Sequence, residues 1–257
     1  MNLYLNQFSE KHNFPETVTT KTLIIASTGR SGSHMLGHTL YETRDFGFPL
    51  EYANTANLKK WKEITKKANF EELMHELFRI RTSKNGVFGI KIHYSHIKQF
   101  GGFDNLVKFF PNPHFVLLRR KELLKQAISL SIARQTGQWI ASQKKLSETL
   151  NYDFEEILQN LKSINSENSN WKYLLETRSQ KYIEIEYSDL ISNIQCNLNK
   201  IYRFTGQAEP TNKIHKATTT KVQSDEINNE WYEKFLLDHQ HRAAKSGWTL
   251  NRWKSIS

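Results

Sequence analysis

Six small or basic residues follow a short apolar run at Leu23–Ser27 and have the composition of a phosphate-binding turn. The turn comprises Thr28, Gly29, Arg30, Ser31, Gly32 and Ser33. Glycines let backbone N–H groups approach an anion, and a helix that begins directly afterwards adds unpaired N–H groups and the positive end of its dipole. Apolar residues resume at helical spacing from Met35. The stretch therefore predicts a phosphate cradle in which Arg30 is the cation.

The turn differs from the mononucleotide P-loop, in which Gly-Lys-Ser/Thr supplies a lysine for the phosphates and a hydroxyl for magnesium. Here Ser33 and His34 follow Gly32. A cradle without the magnesium-binding pair suggests a phosphate-containing donor that is used without metal. An ordinary strand–turn–helix corner is the alternative. A G-x-S-x-G hydrolase elbow fits less well, because Gly32 comes one position early.

A second group of cationic residues lies at the end of the apolar run at 113–118. Arg119 and Arg120 follow it directly, and Ser129 comes nine residues after Arg120. Open α/β sheets bind ligands beyond the carboxyl ends of their strands, so Arg120 is a candidate ligand contact. The alternative is a surface ion pair between Arg120 and Glu122, which would contribute little.

Three further residues could take part in proton transfer or charge stabilisation. Glu51 follows a break at Gly47 and Pro49, in a loop position of the kind where functional groups concentrate. Lys91 lies within the apolar run at 87–92, where an ammonium is costly unless it reaches an anion. His93 comes two residues later. An exposed loop glutamate and a satisfied rim histidine are the alternatives for Glu51 and His93.

Apolar runs at 23–27, 87–92, 113–118 and 182–186 alternate with helical patterns. This order predicts an α/β fold with a mostly parallel central sheet flanked by helices. Six helical segments are predicted. The first three run from Met35 to near Thr43, over Leu58–Arg81 as one helix, and after Arg120. The other three run from an Asp153 N-cap to Glu176 with a polar stretch that could interrupt it, after Asp189 up to Gly206, and over Trp231–Ala244.

Composition limits the class of protein. The 257 residues have a mean hydropathy of −0.65 and a net charge of +10, which favours an anionic partner. Nucleic-acid-binding signatures and a membrane-spanning run are absent from the sequence, so neither nucleic acid nor a transmembrane segment is expected. Residues 1–20 lack the apolar core of a secretory signal, and the single cysteine, Cys196, excludes an internal disulfide. These features predict a cytoplasmic protein.

The sequence contains neither a repeat nor a low-complexity linker. It therefore predicts one domain over 1–257, with a polar lead-in at 1–20 and a C-terminal extension at 207–257. Cys196 lies at helical spacing with Leu198 and Ile201, which predicts a packed thiol.

Four segments together resemble bacterial sulfotransferases of the trehalose 2-sulfotransferase type. They read ASTGRSGSHML, GFPLE, FGIKI and LLRRKELLKQAISLSIARQTGQW. The last is the most specific, because it combines an Arg, a Ser nine residues later and an R-x-x-T-x-x-W tail. With YIEIEYSDL, the resemblance covers Thr22–Trp231. That family uses 3′-phosphoadenosine 5′-phosphosulfate (PAPS) as donor, so the resemblance implies a P-loop NTPase-like sulfotransferase fold, PAPS as co-substrate and no metal.

The resemblance also implies residue roles. Arg30, Ser31, Gly32 and Ser33 would hold the 5′-phosphosulfate, within a turn that Thr28 and Gly29 begin. Arg120 and Ser129 would hold the 3′-phosphate. Glu51 would be the general base and Lys91 would neutralise the bridging oxygen of the leaving nucleotide. The segment with Lys221 and Gln223, together with Trp231, would close over the nucleotide.

Lys91-Ile92-His93 also resembles the K-x-H pair of the eukaryotic cytosolic sulfotransferases, in which the histidine is the base. Glu51 and His93 are therefore both candidate bases, and Glu51 ranks first. The resemblance further implies a carbohydrate or glycolipid acceptor, such as trehalose or a lipopolysaccharide sugar, and a homodimer. The rival functions are a P-loop nucleotide kinase or hydrolase and, less favoured, a polyanion-binding module.

Overall fold

A parallel sheet forms the centre of the computed structural model, which describes residues 3–210 and 226–245. The sheet has four strands in the order β2-β1-β3-β4, and each neighbouring pair is parallel. The strands are β1 Lys21–Ser27, β2 Val87–His93, β3 Pro113–Arg119 and β4 Tyr182–Glu186. The predicted α/β class with a parallel central sheet is confirmed. Because parallel strands end at one edge, the residues that follow β1, β2 and β3 come together there.

Helices cover both faces of the sheet. In the described residues the α-helices are α1 Ser33–Thr43, α2 Thr55–Thr65, α3 Phe70–Arg81, α4 Phe103–Phe109, α5 Leu123–Thr136, α6 Phe154–Thr177, α7 Tyr187–Ser192, α8 Ile194–Thr205 and α9 Glu226–Lys245. Successive residues of β1 point to opposite faces. Ile24 belongs to an apolar cluster with α2, α3, α4 and α6, whereas Ile25 belongs to a second cluster with α1, α7 and α8. Burial on both faces explains the continuous apolar run of β1.

The prediction of one helix over Leu58–Arg81 is wrong, because two helices occupy this region. α2 ends where Lys66 enters the left-handed region at φ 60°, and α3 begins after Asn69, whose side chain accepts a hydrogen bond from the Glu72 amide. A capped N-terminus of this kind favours a new helix over a continued one. By contrast, α6 runs through its polar stretch without interruption.

Two segments outside the sheet differ from the sequence-based expectation, the N-terminal residues and α8. Residues 5–8 and 10–12 form short 3-10 helices that pack on the domain, with the Phe8 ring 5.1 Å from that of Trp61. Cys196 is exposed, so the prediction of a packed thiol is wrong: α8 buries the face that carries Leu198 and Ile201 instead. Within the described ranges, none of the helices has the length and apolar character needed to cross a membrane.

Candidate active site

The turn after β1 has the geometry of an anion cradle. Gly32 lies at φ 88° and is the N-cap of α1, where it offers no capping side chain. The first N–H groups of α1 are therefore left for a ligand. Arg30 also lies in the left-handed region, at φ 64°. A residue other than glycine adopts this conformation at a cost of about 1–2 kcal/mol, so the turn is a strained segment that its surroundings hold in place.

Tyr187, at the start of α7, packs closely on this turn. A Cβ placed on Gly32 would lie 2.3 Å from Tyr187 Cδ2, so only glycine fits there. The Tyr187 ring also contacts Arg120, whose guanidinium carbon lies 5.0 Å from the ring centroid. Tyr187 thus connects the turn after β1 to the cationic end of β3.

Arg30 is held by two groups on and after α5. Its Nε donates to the Ser129 hydroxyl at 3.0 Å, and its Nη1 donates to the Trp139 carbonyl. Burial, and then the positive charge of Arg120, lowers the pKa of Arg30 to about 10. The guanidinium is still protonated at neutral pH, so Arg30 brings a partly desolvated positive charge to the turn.

Several buried polar atoms near the turn lack hydrogen-bond partners among the described residues. Two of them are the Nε of Arg120 and the hydroxyl of Ser31. In the described part of the chain, the carboxylate that pairs with Arg120 is that of Glu122, at 3.9 Å from Nε. Unpaired buried polar groups are unfavourable unless a ligand or water satisfies them. The unpaired Arg120 nitrogen therefore fits a site that receives an anion, whereas the Ser31 side chain is fully buried within the turn.

The loop that carries Glu51 is fixed against β2. The Lys91 amide donates to the Leu50 carbonyl at 2.9 Å, and Leu50 forms an isolated parallel bridge with Ile90. This approach depends on Gly89, because a Cβ there would lie 2.1 Å from the Phe46 carbonyl oxygen. The backbone thereby places Glu51 opposite Lys91.

Glu51, Lys91 and His93 form one ionic and hydrogen-bonded cluster. Lys91 Nζ lies 2.8 Å from Glu51 Oε1, and His93 Nε2 lies 3.1 Å from the same oxygen. Burial raises the pKa of Glu51, but the Lys91 ammonium and the His93 imidazole outweigh burial and hold this pKa well below its usual range. Glu51 is therefore ionised at neutral pH in this arrangement.

His93 is fixed from its other side as well. Its Nδ1 lies 3.1 Å from the Ser27 hydroxyl, and its backbone N–H donates to His96 Nδ1 at 3.2 Å. The buried indole of Trp171 donates to the Ser27 carbonyl at 3.1 Å. Burial lowers the pKa of His96 to about 3, so that ring accepts the hydrogen bond in its neutral form. His93 is a histidine with both ring nitrogens engaged.

One cavity of about 500 Å³ brings most of the predicted site residues together. It is lined by Gly29, Arg30, Gly32, Ser33, Glu51, Lys91, His93, Arg120 and Ser129. Thr28 and Ser31 are buried members of the turn that do not line the cavity, and Gln126 Nε2 donates to the Thr28 hydroxyl at 2.9 Å.

Of the remaining predicted residues, the structure describes Trp231. Trp231 lies on α9 and is buried in a cluster with residues of α5 and α6, including Phe154, and it does not line the cavity. Lys221 and Gln223 lie outside the described residues.

Several cavity residues were not anticipated from the sequence. Besides Tyr187, the wall includes Tyr4, Gln7, His34, Asn54, Asn57, Ser95, Arg134, Trp139 and Glu167. Tyr4 and Gln7 belong to the stretch that was predicted to be a polar lead-in. The apolar neighbours of Gln7 at Leu5 and Phe8 were an available signal of a packed segment. In the described parts of the chain, His, Cys, Asp and Glu side chains do not cluster in threes as a cation site would need.

Solved structures that are similar to this chain at low sequence identity include three sulfotransferases. The first, from Alicyclobacillus acidocaldarius, has 15% identity, covers 93% of this chain and 99% of that chain, and has a TM-score of 0.46. Sulfotransferase STF9 from Mycobacterium avium has 11% identity, covers 87% and 69%, and has a TM-score of 0.46. Mouse sulfotransferase SULT7A1 complexed with PAP has 12% identity, covers 95% and 91%, and has a TM-score of 0.44.

A search of curated proteins finds no match. A match to a family model covers the chain from β1 into α9, which includes the cavity residues except those of its N-terminal wall. The sequence model of the Stf0 sulphotransferase family matches residues 22–238, and the chain belongs to that family.

Proposed function

We propose that this protein transfers a sulfuryl group from PAPS to a hydroxyl group of a carbohydrate. Membership of a sulfotransferase family supports sulfuryl transfer in general, whereas the donor and the acceptor are proposals. One observation carries them: the turn with Arg30, the Arg120–Ser129 pair and the Glu51–Lys91–His93 cluster line a single cavity. A doubly phosphorylated donor and a base are needed side by side for this reaction.

The residues fit a donor with two separate anionic groups. The open N–H groups at the start of α1 and the Arg30 guanidinium suit the 5′-phosphosulfate. Arg120, whose Nε lacks a hydrogen-bond partner among the described residues, and Ser129 suit the 3′-phosphate. A guanidinium that is already oriented by stacking on Tyr187 loses little freedom when it binds a phosphate.

Glu51 is the proposed general base. When bound, PAPS supplies the sulfuryl group, whose sulfur exchanges its bond to the leaving phosphate for a bond to the acceptor oxygen. Such transfers depend mainly on positioning and on charge stabilisation. Lys91 and His93 both contact Oε1 of Glu51, whereas the one hydrogen-bond contact of Oε2 within the described ranges is a long one of 3.4 Å with Asn54 Nδ2. Oε2 is thus the atom that can take the proton of the acceptor hydroxyl.

His93 is better suited to position Glu51 than to act as the base. An ionised carboxylate can only accept hydrogen bonds, so His93 Nε2 must be the donor to Glu51. Nδ1 is engaged with the Ser27 hydroxyl. Neither ring nitrogen is left for an acceptor hydroxyl.

The wall next to Glu51 favours an uncharged, hydroxyl-rich acceptor. It includes the amide of Asn54 and the ring of Tyr4, which meets His34 edge-on with centroids 5.4 Å apart, while the amides of Gln7 and Asn57 hydrogen-bond each other. Burial, and then the positive charge of Lys91, lowers the pKa of His34 well below its usual value, so its ring is neutral. Neutral donors and acceptors beside an aromatic ring suit a sugar, either free, as in trehalose, or on a lipopolysaccharide or other glycolipid.

The cellular setting is also part of the proposal. We place the enzyme in the cytoplasm of a bacterium, where a chain with one cysteine fits the reducing conditions and where PAPS would be available. A homodimer and independence from metal complete the proposal.

The proposal is tested by incubating the protein with sulfur-labelled PAPS, a panel of trehalose, lipopolysaccharide-core sugars and glycolipids, and a metal chelator. Label that moves onto one of these sugars, at a rate that depends on Glu51, is the expected result. Label transfer only to non-carbohydrate hydroxyls would overturn the acceptor class. Magnesium-dependent turnover of ATP without any use of PAPS would overturn the proposal and favour a kinase or hydrolase.

A further inference from the structure

Lys91 occupies a position from which it can serve two anions. Its ammonium is almost fully buried and lies 2.8 Å from Glu51 Oε1. It also lines the same cavity as Arg30 and Gly32 of the anion-binding turn. Lys91 pairs with Ile25 in the sheet register, and the turn begins at Thr28, three residues after Ile25. The proposed donor site and the proposed base are therefore both next to one cation.

The backbone on both sides of the ion pair is fixed. Hydrogen bonding between the Lys91 amide and the Leu50 carbonyl joins the loop before Glu51 to β2. A change of partner therefore cannot come from movement of the loop alone. The lysine side chain has a flexible four-carbon stem with a compact charge at its end, so the ammonium itself can move.

We propose that Lys91 alternates between two partners: it pairs with Glu51 in the free enzyme and with the leaving phosphate in the donor complex, so that donor binding frees Glu51 to accept a proton. This inference rests on the proposed function. The phosphosulfate group as a whole carries more negative charge than a carboxylate, so this anion in the turn attracts the ammonium more strongly than Glu51 does.

The contacts that remain explain why Glu51 would stay in place after Lys91 leaves. His93 Nε2 still donates to Oε1 at 3.1 Å, and Asn54 Nδ2 lies 3.4 Å from Oε2. The carboxylate thus keeps its orientation but loses its closest positive charge. Its proton affinity then increases, which makes it a stronger base only after the donor has bound. The base would remain weak in the absence of donor.

A simpler arrangement is a bridge, because an ammonium has three donors and can contact Glu51 and a phosphate at once. The two arrangements differ in a measurable way. If Lys91 bridges, Glu51 orients the ammonium toward the phosphate, and loss of the carboxylate weakens donor binding. If Lys91 alternates, Glu51 competes with the phosphate, and loss of the carboxylate strengthens donor binding.

The test is a double-mutant cycle on the affinity for adenosine 3′,5′-bisphosphate (PAP), measured by calorimetry on the full chain. The variants are Glu51→Gln, Lys91→Met and the double variant, with thermal unfolding to verify that each one folds. We expect Glu51→Gln to bind PAP about fivefold or more tightly than wild type, in the usual range of coupling between sites. In the Lys91→Met background, the same substitution should change the affinity less than about twofold, since no shared cation remains.

Glu167→Gln is the matched control, because Glu167 is another carboxylate in the cavity wall, lies on α6 and has no ion pair with Lys91 among the described residues. If removal of any negative charge near the phosphates raises the affinity for PAP, Glu167→Gln should raise it as well. That increase should persist in the Lys91→Met background. Equal gains from Glu51→Gln in both backgrounds would overturn the alternation and show simple repulsion. A loss of PAP affinity in Glu51→Gln would overturn it in favour of the bridge. Failure of the wild-type protein to bind PAP at all would instead overturn the proposed function, and this inference with it.

Discussion

The Nε atom of Arg30 donates a hydrogen bond to the Ser129 hydroxyl at 3.0 Å, so the turn after β1 is tied directly to α5. These two residues come from segments that the resemblance to trehalose-type sulfotransferases assigns to opposite ends of one nucleotide. Arg120 lines the same cavity and lies close enough to Arg30 for its charge to lower the pKa of that residue. The two cationic segments therefore face one ligand volume, as a single doubly phosphorylated adenosine requires.

Arg120→Ala should selectively weaken binding of nucleotides that carry a 3′-phosphate. A hydrogen bond to a charged group contributes about 1.5–3 kcal/mol, which corresponds to a loss of about 10- to 100-fold in affinity for PAP. Affinity for adenosine 5′-phosphate should change little, because that ligand has no 3′-phosphate. Calorimetric titration with both nucleotides measures the difference.

Arg119→Ala is the control for that experiment. Arg119 donates to Glu184 on β4 and does not line the cavity. Its loss should leave both affinities close to those of wild type. Equal weakening of both nucleotides by Arg120→Ala would contradict a role at the 3′-phosphate.

Glu51→Gln and His93→Gln should separate the base from the residue that positions it. Loss of a general base lowers kcat by about 10² to 10⁴-fold, and this loss is expected for Glu51→Gln without a loss of PAP affinity. His93→Gln keeps an amide that can contact both Glu51 and Ser27, so a smaller loss is expected. Initial rates of label transfer from PAPS give both values. The reverse ranking would make His93 the base.

Gly32→Ala should destabilise the fold by about 1–3 kcal/mol, because alanine is strained at a positive φ and its Cβ would lie 2.3 Å from Tyr187 Cδ2. Gly29→Ala is the matched control in the same turn. A Cβ at Gly29 would be 3.7 Å from the nearest heavy atom, in Leu130, which is an ordinary contact. Chemical unfolding of both variants provides the comparison, and equal stability losses would contradict this account of the turn.

The Glu51–Lys91 pair should make stability depend on pH in a defined direction. Lys91 and His93 hold the pKa of Glu51 well below its ordinary value of 4.5. Ionised Glu51 therefore stabilises the folded protein above pH 4.5, and this contribution is lost as the pH falls from 4.5 through the pKa of the folded state. Lys91→Met removes the ammonium, so its stability deficit should shrink as the pH falls through that range.

Urea unfolding of wild type and Lys91→Met, from about pH 7 down to about pH 3, measures this change. Lys125→Met serves as the control, because Lys125 also lines the cavity and contacts the ring of Tyr232 rather than a carboxylate. Its deficit should be nearly independent of pH. A constant deficit for Lys91→Met would show that the ion pair does not lower the pKa of Glu51.

Local patterns in the sequence were sufficient to predict the sheet. Each strand is a short apolar run that is interrupted by turn residues, and burial on both faces of β1 produces such a run directly. The break between α2 and α3 also has a local signal: Asn69 is followed three residues later by Glu72, a typical helix start. This pattern indicates a new helix at α3 and not a continuation of α2.

The partners of the site residues could not be predicted in the same way. Tyr187 and Gln126 contact the turn from far along the chain, and their own neighbours carry no pattern that indicates this contact. Tertiary packing alone brings them there. Trp231 differs from these two residues, because its packing has a local signal in the sequence. Trp231 and Phe235 are four residues apart and lie on one buried face of α9. That spacing is typical of a core helix, and the structure places Trp231 in such packing.

The central claim is that this cavity binds a doubly phosphorylated adenosine without a divalent ion, and thermal unfolding in the presence of a metal chelator tests it most directly. A ligand at 100 times its dissociation constant stabilises the folded state by about 2.7 kcal/mol, which is readily detected. PAP should raise the unfolding temperature of the wild-type protein in chelator, and this increase should be much smaller in Arg120→Ala. If PAP produces no increase, and ATP with magnesium does, the assignment of the cavity to PAPS is wrong.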